Sequence, residues 1–205
     1  MTDQRPSHRE SRPGVRQRLE HIAEHQWKNL IAVLEDPNDI RNIGSVIRNV
    51  NALGIGQLYV ISDRTFVPDT IEEMRSRNSY HFFSAAAIHW TNVRVFRSTQ
   101  HCFSELDSLG FTSVVTSPAA IGKNHCLLDN FDATMFPKIA VWFGNEGRGI
   151  STRALDGSHI CISIPNNGMV ESLNVAVSSG IVLHEITRQL RHQRSLRVGT
   201  TSSPE

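Results

Sequence analysis

The 205-residue sequence contains little cysteine and no long apolar run. Its three cysteines, Cys102, Cys126 and Cys161, are widely spaced and odd in number, which disfavours a disulfide framework and a metal knuckle, so we expect reduced thiols. No run approaches the roughly 20 apolar residues that a membrane-spanning helix needs. The arginines near the N-terminus precede no apolar stretch, so we expect no secretory signal and a cytoplasmic protein.

An excess of charge of one sign is also missing. Lysine and arginine total 21, aspartate and glutamate total 20, and the formal net charge is +1. This balance argues weakly against a strongly basic nucleic-acid-binding protein. The arginines are nevertheless concentrated at both ends, with five in residues 5–18 and four in residues 188–197. These ends are either solvated tails or flanks of a groove that contact phosphates.

Two familiar classes of ligand motif are absent. His21 and His25 have a four-residue spacing but lie in a polar segment, and we predict no metal site there. Residues 144–151 read GNEGRGIS, and three glycines before a helix could cradle a phosphate. No Lys-Ser/Thr pair or GxGxxG accompanies them, so binding of a nucleoside triphosphate or dinucleotide is not supported. The alternative is a tight turn in which Ser151 caps the next helix.

Apolar runs of strand length alternate with helical periods along the chain, which predicts an α/β fold with a parallel sheet covered on both faces. We predict strands at 30–34, 57–62, 93–96, 111–116, 138–143 and 159–164, and helices at 40–50, 99–109 and 172–193. Residues 67–90 show no clear period and are interpreted as a loop against a ligand. The predicted division is a basic N-terminal extension at 1–26, one domain at 27–193 and a flexible tail at 194–205.

Parallel α/β sheets bind ligands beyond the carboxyl ends of their strands. The segments after Leu34, Val115, Phe143 and Ile164 are rich in Gly, Asn, Ser or Pro, and these residue types let a backbone approach a ligand. Within 164–177, Ser172 and Asn174 lie in an apolar context. Leaving a buried polar group unpaired costs roughly 1–3 kcal/mol, so both side chains need partners.

Arginines also mark the first predicted helix. Arg41 and Arg48 are seven residues apart and share a face with Ser45, opposite much of the apolar line. This face is either a solvated surface or a site where guanidinium groups hold a phosphate. Asn42 could be no more than a polar residue of the first turn.

Three segments together resemble the signature motifs of the SpoU/TrmH branch of the SPOUT RNA methyltransferases. They are NIGSVIR at 42–48, GNEGRGIS at 144–151 and IPNNGMVESLNVAV at 164–177, in the same order and spacing. The resemblance covers about residues 27–190. It implies an α/β fold with a C-terminal trefoil knot, a homodimer, and S-adenosylmethionine-dependent methyl transfer to a ribose 2'-hydroxyl of RNA.

The resemblance also implies which RNA is methylated. The basic stretch at 15–27 is similar to the short extension of the tRNA-directed group, so tRNA is expected before rRNA. Two alternatives stay open: an rRNA methyltransferase of the same family, and an RNA-binding relative without catalysis. The aromatic and basic residues of 75–83 are candidates for base stacking and phosphate contact.

Site residues follow from the resemblance position by position. Arg48 matches the catalytic arginine and Asn42 its positioning partner. The polar motif residues near the reacting centre are Glu146, Ser172 and Asn174. The cofactor-contacting positions, largely through backbone groups, are Thr116, Gly144, Ile164 and Leu173. Asn166 and Ala176 depart from the common pattern, where many relatives carry methionine and serine, which leaves the detailed contacts of the cofactor pocket open.

Overall fold

The protein folds around one parallel β-sheet in a computed structural model that describes residues 24–62, 67–121 and 123–200, together with Gln17, Glu20, Ile22 and Arg64. The strands are β1 Trp27–Glu35, β2 Ile55–Ile61, β3 Asn92–Phe96, β4 Thr112–Thr116, β5 Cys126–Leu127, β6 Ile139–Phe143 and β7 Ile160–Ser163. Their order across the sheet is β3-β2-β1-β6-β4-β7-β5, and each described pairing is parallel. The predicted parallel α/β fold is confirmed.

Helices cover both faces of this sheet. They are α1 Ile40–Ala52, α2 Ile71–Ser76, α3 Asn78–Phe83, α4 Thr99–Ser108, α5 Thr152–Gly157 and α6 Val175–Thr200. Short 3₁₀ turns lie at Ala87–His89, Leu128–Asn130 and Ala133–Met135. The described helices include none that combines the length and apolar character needed to cross a bilayer.

The core has two parts because successive side chains of a strand point to opposite faces. On β1, Leu30, Ala32 and Leu34 belong to one apolar cluster, and Ile31 and Val33 belong to the other. Residues of α1 and α6 complete the first cluster, and residues of α4 and α5 complete the second. A strand that is buried on both faces reads as a continuous apolar run, which is why the strands were visible in the sequence.

The prediction of a loop over 67–90 is wrong in part, because α2, α3 and a 3₁₀ turn occupy most of that segment. The hydroxyl of Thr70 accepts from the Glu73 N–H at 3.2 Å and caps α2. Met74, Tyr80 and Ile88 are fully buried. These anchors are six and eight residues apart, on separate short elements, so no single helical period runs through them.

The last helix also differs from its prediction at both ends. It begins at Val175 because the Asn174 side chain accepts from the Ala176 N–H at 2.8 Å, as a capping residue does. It continues to Thr200 rather than ending at Gln193. The Arg194 guanidinium lies 6.0 Å from the centre of the Trp27 ring and donates to the Glu24 carbonyl at 3.3 Å. These contacts hold the additional turns against the start of β1.

The three cysteines are free, and Cys102 and Cys161 are buried. Burial raises the pKa of both thiols, so both are in the protonated form near neutral pH. Within the part of the chain that the structure describes, no group of three or more metal-ligating side chains comes together. Of the predicted histidine pair, His21 lies outside the described residues.

Gly44 lies where α1 packs closely against α3. A Cβ atom added at Gly44 would lie 2.5 Å from the Phe83 Cβ and 2.7 Å from its carbonyl carbon. Replacing Gly44 with alanine should therefore lower the free energy of unfolding by about 1–3 kcal/mol, measured by urea denaturation. Ser45→Ala, a neighbour on the same helix, is the control and should change the value by less than about 0.5 kcal/mol. Equal effects of the two substitutions would contradict the close contact.

Candidate active site

A cavity of about 320 Å³ lies at the carboxyl ends of three neighbouring strands, β4, β6 and β7. The loop that follows each of these strands supplies part of its wall. Its lining residues include Thr116, Ser117, Pro118, Phe143, Gly144, Glu146, Arg148, Ile164, Asn166, Glu171, Ser172 and Leu173. The segments that the sequence marked after Val115, Phe143 and Ile164 therefore meet in one place.

All four predicted cofactor-contacting residues line this cavity: Thr116, Gly144, Ile164 and Leu173. The Thr116 hydroxyl donates to the Trp142 carbonyl at 2.8 Å, which links the ends of β4 and β6. A Cβ at Gly144 would lie 2.3 Å from both the Gly149 carbonyl carbon and the Ile150 nitrogen. The wall is therefore main chain at this point, and only glycine allows the two backbone segments to approach so closely.

The glycine-rich loop is organised by Asn145, a buried residue that the sequence analysis missed. Its side-chain oxygen accepts from the N–H groups of Gly147 at 2.8 Å and Arg148 at 2.9 Å. Its side-chain nitrogen donates to the Asp36 carbonyl at 2.6 Å, and its backbone pairs with Gly149. The N–H groups of Gly147 and Arg148, which could have bound a phosphate, are therefore already hydrogen-bonded to Asn145.

Ser151 is the N-cap of α5, as the alternative interpretation of the glycine-rich segment predicted. Its hydroxyl accepts from the Ala154 N–H at 3.1 Å. The buried carboxylate of Glu35, at the end of β1, accepts from the Ser151 N–H at 2.9 Å and from its hydroxyl at 2.8 Å. The geometry favours a tight turn tied to the sheet over a phosphate-binding loop.

Three of the predicted polar residues form a hydrogen-bonded chain beside the cavity. The side-chain nitrogen of Asn42 donates to Glu146 Oε1 at 2.7 Å. The side-chain nitrogen of Asn174 donates to Asn42 Oδ1 at 3.1 Å. Each residue comes from a different motif, and they are 104 and 132 residues apart. Asn42 is therefore more than a polar residue of the first turn, because it joins α1 to the other two loops.

Asn38 binds the second carboxylate oxygen of Glu146. It was not among the site residues predicted from the sequence. Its backbone N–H donates to Glu146 Oε2 at 2.9 Å, and its side chain donates to Asn145 Oδ1 at 3.0 Å. The turn-forming sequence DPND, directly after β1, marked a turn at this position but not these contacts. The carboxylate of Glu146 is thereby fixed from both sides.

The Asp36 carboxylate forms ion pairs with two arginines at the carboxyl edge of the sheet. It accepts from Arg64 Nε at 2.9 Å and from the guanidinium of Arg148. Arg148 lines the cavity, so this ion pair offsets the one arginine charge among the lining residues described. The carboxylates of Glu146 and Glu171 also line the cavity and give it a negative character.

Arg48 does not lie with the other predicted residues. It is exposed on α1, outside the cavity lining, and no described residue accepts a hydrogen bond from it. With 3.6 residues per turn, it projects about 120° away from Asn42 and lies about 9 Å further along the helix axis. Ser172 does line the cavity, without a hydrogen bond to the described part of the chain. Ser172 and Asn174 are both exposed, so the expectation that they are buried and need partners is wrong.

Of the two departures from the common motif, Asn166 changes the cavity directly. Its side-chain oxygen accepts from the Gly168 N–H at 3.0 Å, and its nitrogen donates to the Val170 carbonyl. Asn166 thus braces the loop between β7 and α6 while lining the cavity. Ala176 contributes its carbonyl, which accepts from the Asn49 side chain at 2.8 Å.

The fold and the converging loops define an α/β protein with a ligand site at the carboxyl edge of a parallel sheet. Comparison with known families gives a more specific result. The model described as "SpoU rRNA Methylase family" matches residues 29–184, well over half of the chain. The chain belongs to this family, and the predicted family is confirmed.

Known relatives agree with this assignment, and a solved structure shares the fold. The chain is 28% identical over 181 residues to a tRNA (guanosine(18)-2'-O)-methyltransferase of Thermus thermophilus, covering 88% of this chain and 86% of the relative. A Borreliella burgdorferi protein of the same name is 26% identical, with 85% and 73% covered. The structure of the A. aeolicus TrmH/SpoU tRNA modifying enzyme superposes with a TM-score of 0.71 at 24% identity, over 87% of this chain and 85% of that one.

Asn145 should be essential to the glycine-rich loop. Replacing it with alanine removes its side-chain bonds to Gly147, Arg148 and the Asp36 carbonyl. We expect the free energy of unfolding to fall by about 1–3 kcal/mol and the amides of residues 147 and 148 to lose protection against hydrogen exchange. Asn130→Ala, at an exposed asparagine, is the control. Unchanged exchange in the Asn145 variant would show that the loop does not depend on this amide.

Proposed function

We propose that this protein transfers the methyl group of S-adenosylmethionine to a ribose 2'-hydroxyl of RNA, and that its substrate is a tRNA. One observation carries the proposal: the motif loops meet in a cavity next to the chain Asn42–Glu146–Asn174. The choice of tRNA is supported by the relatives named above, which match over 86% and 73% of their own lengths.

The cavity has the properties that this cofactor requires. A volume of about 320 Å³ is within the range of small-molecule sites, roughly 300–1,000 Å³. Main chain at Gly144 and apolar side chains such as Ile164 and Leu173 form its walls. The carboxylates of Glu146 and Glu171 complement a cationic sulfonium, while Asp36 pairs with Arg148. Thr116, Gly144, Ile164 and Leu173 would hold the cofactor.

The chemistry requires alignment and removal of one proton. Bound S-adenosylmethionine would supply a methyl group activated by its positive sulfur, with the electron pair of the broken carbon–sulfur bond left on sulfur as the carbon–oxygen bond forms. A ribose hydroxyl is a poor nucleophile until its proton leaves, so the protein must orient it and assist that loss. The hydrogen-bonded Asn42, Glu146 and Asn174 provide a fixed polar wall for this step. The identity of the proton acceptor is open.

Arg48 is assigned the role of holding the phosphate next to the reacting ribose and stabilising the developing alkoxide. A guanidinium is a hydrogen-bond donor with no acceptor site, so it is poorly suited to accept the proton. Its exposed position without a described acidic partner leaves its five N–H donors available to RNA. Bidentate contact with a phosphate is the interaction that this group favours.

A homodimer is part of the proposal. Arg48 lies outside the cavity of its own chain, so a second copy could bring an arginine to the site or complete the RNA-binding surface. Val177 and Ile181, one turn apart on α6, are 51% and 39% exposed, and an apolar stripe of this kind suits an interface. The trefoil knot expected for the family and the cytoplasmic location also belong to the proposal.

Replacing Arg48 with alanine should reduce methyl transfer at least 100-fold while leaving the affinity for S-adenosylhomocysteine within a few-fold, because the residue does not line the cavity. Arg48→Lys, which keeps the charge but loses the bidentate geometry, should retain partial activity. Arg153→Ala, at an exposed arginine on α5, is the control. Initial rates with saturating cofactor give the comparison, and full activity of the alanine variant would remove Arg48 from the mechanism.

The substrate class is tested by incubating the protein with methyl-labelled cofactor and, separately, unmodified total tRNA and rRNA. We expect label in tRNA, on a ribose 2'-oxygen that nuclease digestion then maps to one nucleotide. Label confined to rRNA would favour the rRNA methyltransferase alternative. RNA binding with no label in either pool would favour the relative without catalysis.

A further inference from the structure

The end of α3 carries an aromatic residue in an unusual position. Phe82 is 76% exposed, although Tyr80 is fully buried and Phe83 is partly buried. The rings of Phe82 and Phe83 meet edge to face, with centroids 5.3 Å apart and planes at 80°. Burying such a side chain against a partner is favourable because it removes apolar surface from water. The exposed ring, backed by a second ring, therefore offers a flat apolar surface to a partner.

This aromatic pair lies next to the arginine face of α1. The Phe83 Cβ and the Ser84 nitrogen approach Gly44 so closely that a Cβ there would be 2.5 Å and 3.0 Å from them. A helix turns about 100° per residue, so Arg41 and Arg48 project within about 60° of the Gly44 direction, one turn on either side of it. Their Cα atoms are about 10 Å apart along the axis. Both arginine side chains therefore leave α1 beside the place where α3 ends.

Asn42 and Asn49 lie on the other side of the same arginines. Asn42 donates to Glu146 beside the cavity, and Asn49 donates to Ala176 and Ser179 at the start of α6. Around the axis of α1, the arginine face is therefore bounded by the aromatic pair on one side and by the candidate active site on the other. A strand of RNA that reaches the cavity across α1 would pass the end of α3, where Phe82 lies.

The backbone after Phe82 keeps the ring at this position. Ala85 and Ala86 adopt φ angles of 49° and 66°, in the left-handed region that is unfavourable for a residue with a side chain. The Ala86 N–H donates to the His81 carbonyl at 2.8 Å, and the Ala85 N–H donates to the Phe82 carbonyl at 3.1 Å. The chain turns sharply here, so α3 ends at the residue that follows Phe82.

The charges near the end of α3 favour a polyanion over a second copy of this chain. Arg75 donates only to the carbonyls of Ile88 and His89 among the contacts described, and Arg48 has no described acidic partner. Arg41 and Arg77 are paired with Asp39 and Glu73. With the exposed Glu72, these seven side chains carry four positive and three negative charges, so a net charge of +1 remains, which an RNA backbone complements and a second copy does not.

We propose that Phe82 is a stacking surface for an unpaired nucleobase of the RNA substrate, with Arg41 and Arg48 contacting the adjacent phosphates. This rests on the proposed function and adds to it the site that orients the RNA. Every base has an apolar face, so stacking contributes affinity without selecting a particular base. The ring can reach a base only where the RNA is single-stranded or unstacked, which assigns the substrate contact to a loop or a flipped nucleotide.

Three variants separate stacking from simple apolar contact. Phe82→Ala removes the ring, Phe82→Leu keeps an apolar side chain without the ring, and Phe82→Trp keeps an aromatic face. The probe is a set of unmodified tRNA transcripts, with dissociation constants measured by filter binding. We expect the alanine and leucine variants to bind about 5- to 150-fold more weakly, and the tryptophan variant to bind within about threefold of the wild type. Leu109→Ala, at an exposed leucine after α4, should have no effect.

Affinity for S-adenosylhomocysteine and the mass by light scattering should not change in any Phe82 variant. Wild-type RNA affinity in the leucine variant would overturn the stacking role, and a changed mass would assign the ring to a contact between copies instead. An active wild type whose RNA affinity is unaffected by these substitutions refutes this inference alone. If the wild type binds tRNA through Phe82 but does not methylate it, only the proposed function is refuted. If the wild type does not bind tRNA at all, the stacking proposal itself is refuted.

Discussion

The hydrogen-bonded junction of the motif loops is the constraint on which the rest of the site depends. Asn145 fixes the loop after β6 through three neighbouring backbone groups, and Asn38 and Asn42 fix both oxygens of the adjacent Glu146. Each bond contributes only about 1 kcal/mol to stability, but a buried amide left unpaired would cost more than that. The network therefore specifies one arrangement of loops that are more than a hundred residues apart in the chain.

The sheet makes this junction possible. Strands β6, β4 and β7 are neighbours and run in the same direction, so the loops that follow them start at one edge. The close approach of main chain at Gly144 then closes part of the wall. The site divides into a fixed cavity suited to a cofactor and an open, cationic face of α1 suited to RNA. The position of Arg48 on the open face, away from the cavity, follows from the rotation of the helix.

The sequence allowed the sheet and most of the cavity wall to be predicted, but not the residues that organise the loops. Strands buried on both faces leave long apolar runs, and this pattern located β1, β2 and β6. Asn38 contacts the side chains of Glu146 and Asn145, and Asn145 reaches the Asp36 carbonyl, across more than 100 residues of sequence. A local pattern can mark a turn at these positions but does not encode such distant contacts. The short helices α2 and α3 were missed because each has one fully buried anchor, Met74 or Tyr80, too few to produce a period. The resemblance could name Arg48 without indicating its distance from Asn42.

The central claim is that the three loops together form a cofactor site, and calorimetric titration of the full chain with S-adenosylhomocysteine tests it most directly. The account predicts saturable binding of one molecule per chain, and loss of that binding in Gly144→Ala, where a Cβ would collide with the main chain at Gly149. Absence of binding to the folded wild type, or unchanged binding in the glycine variant, would contradict it.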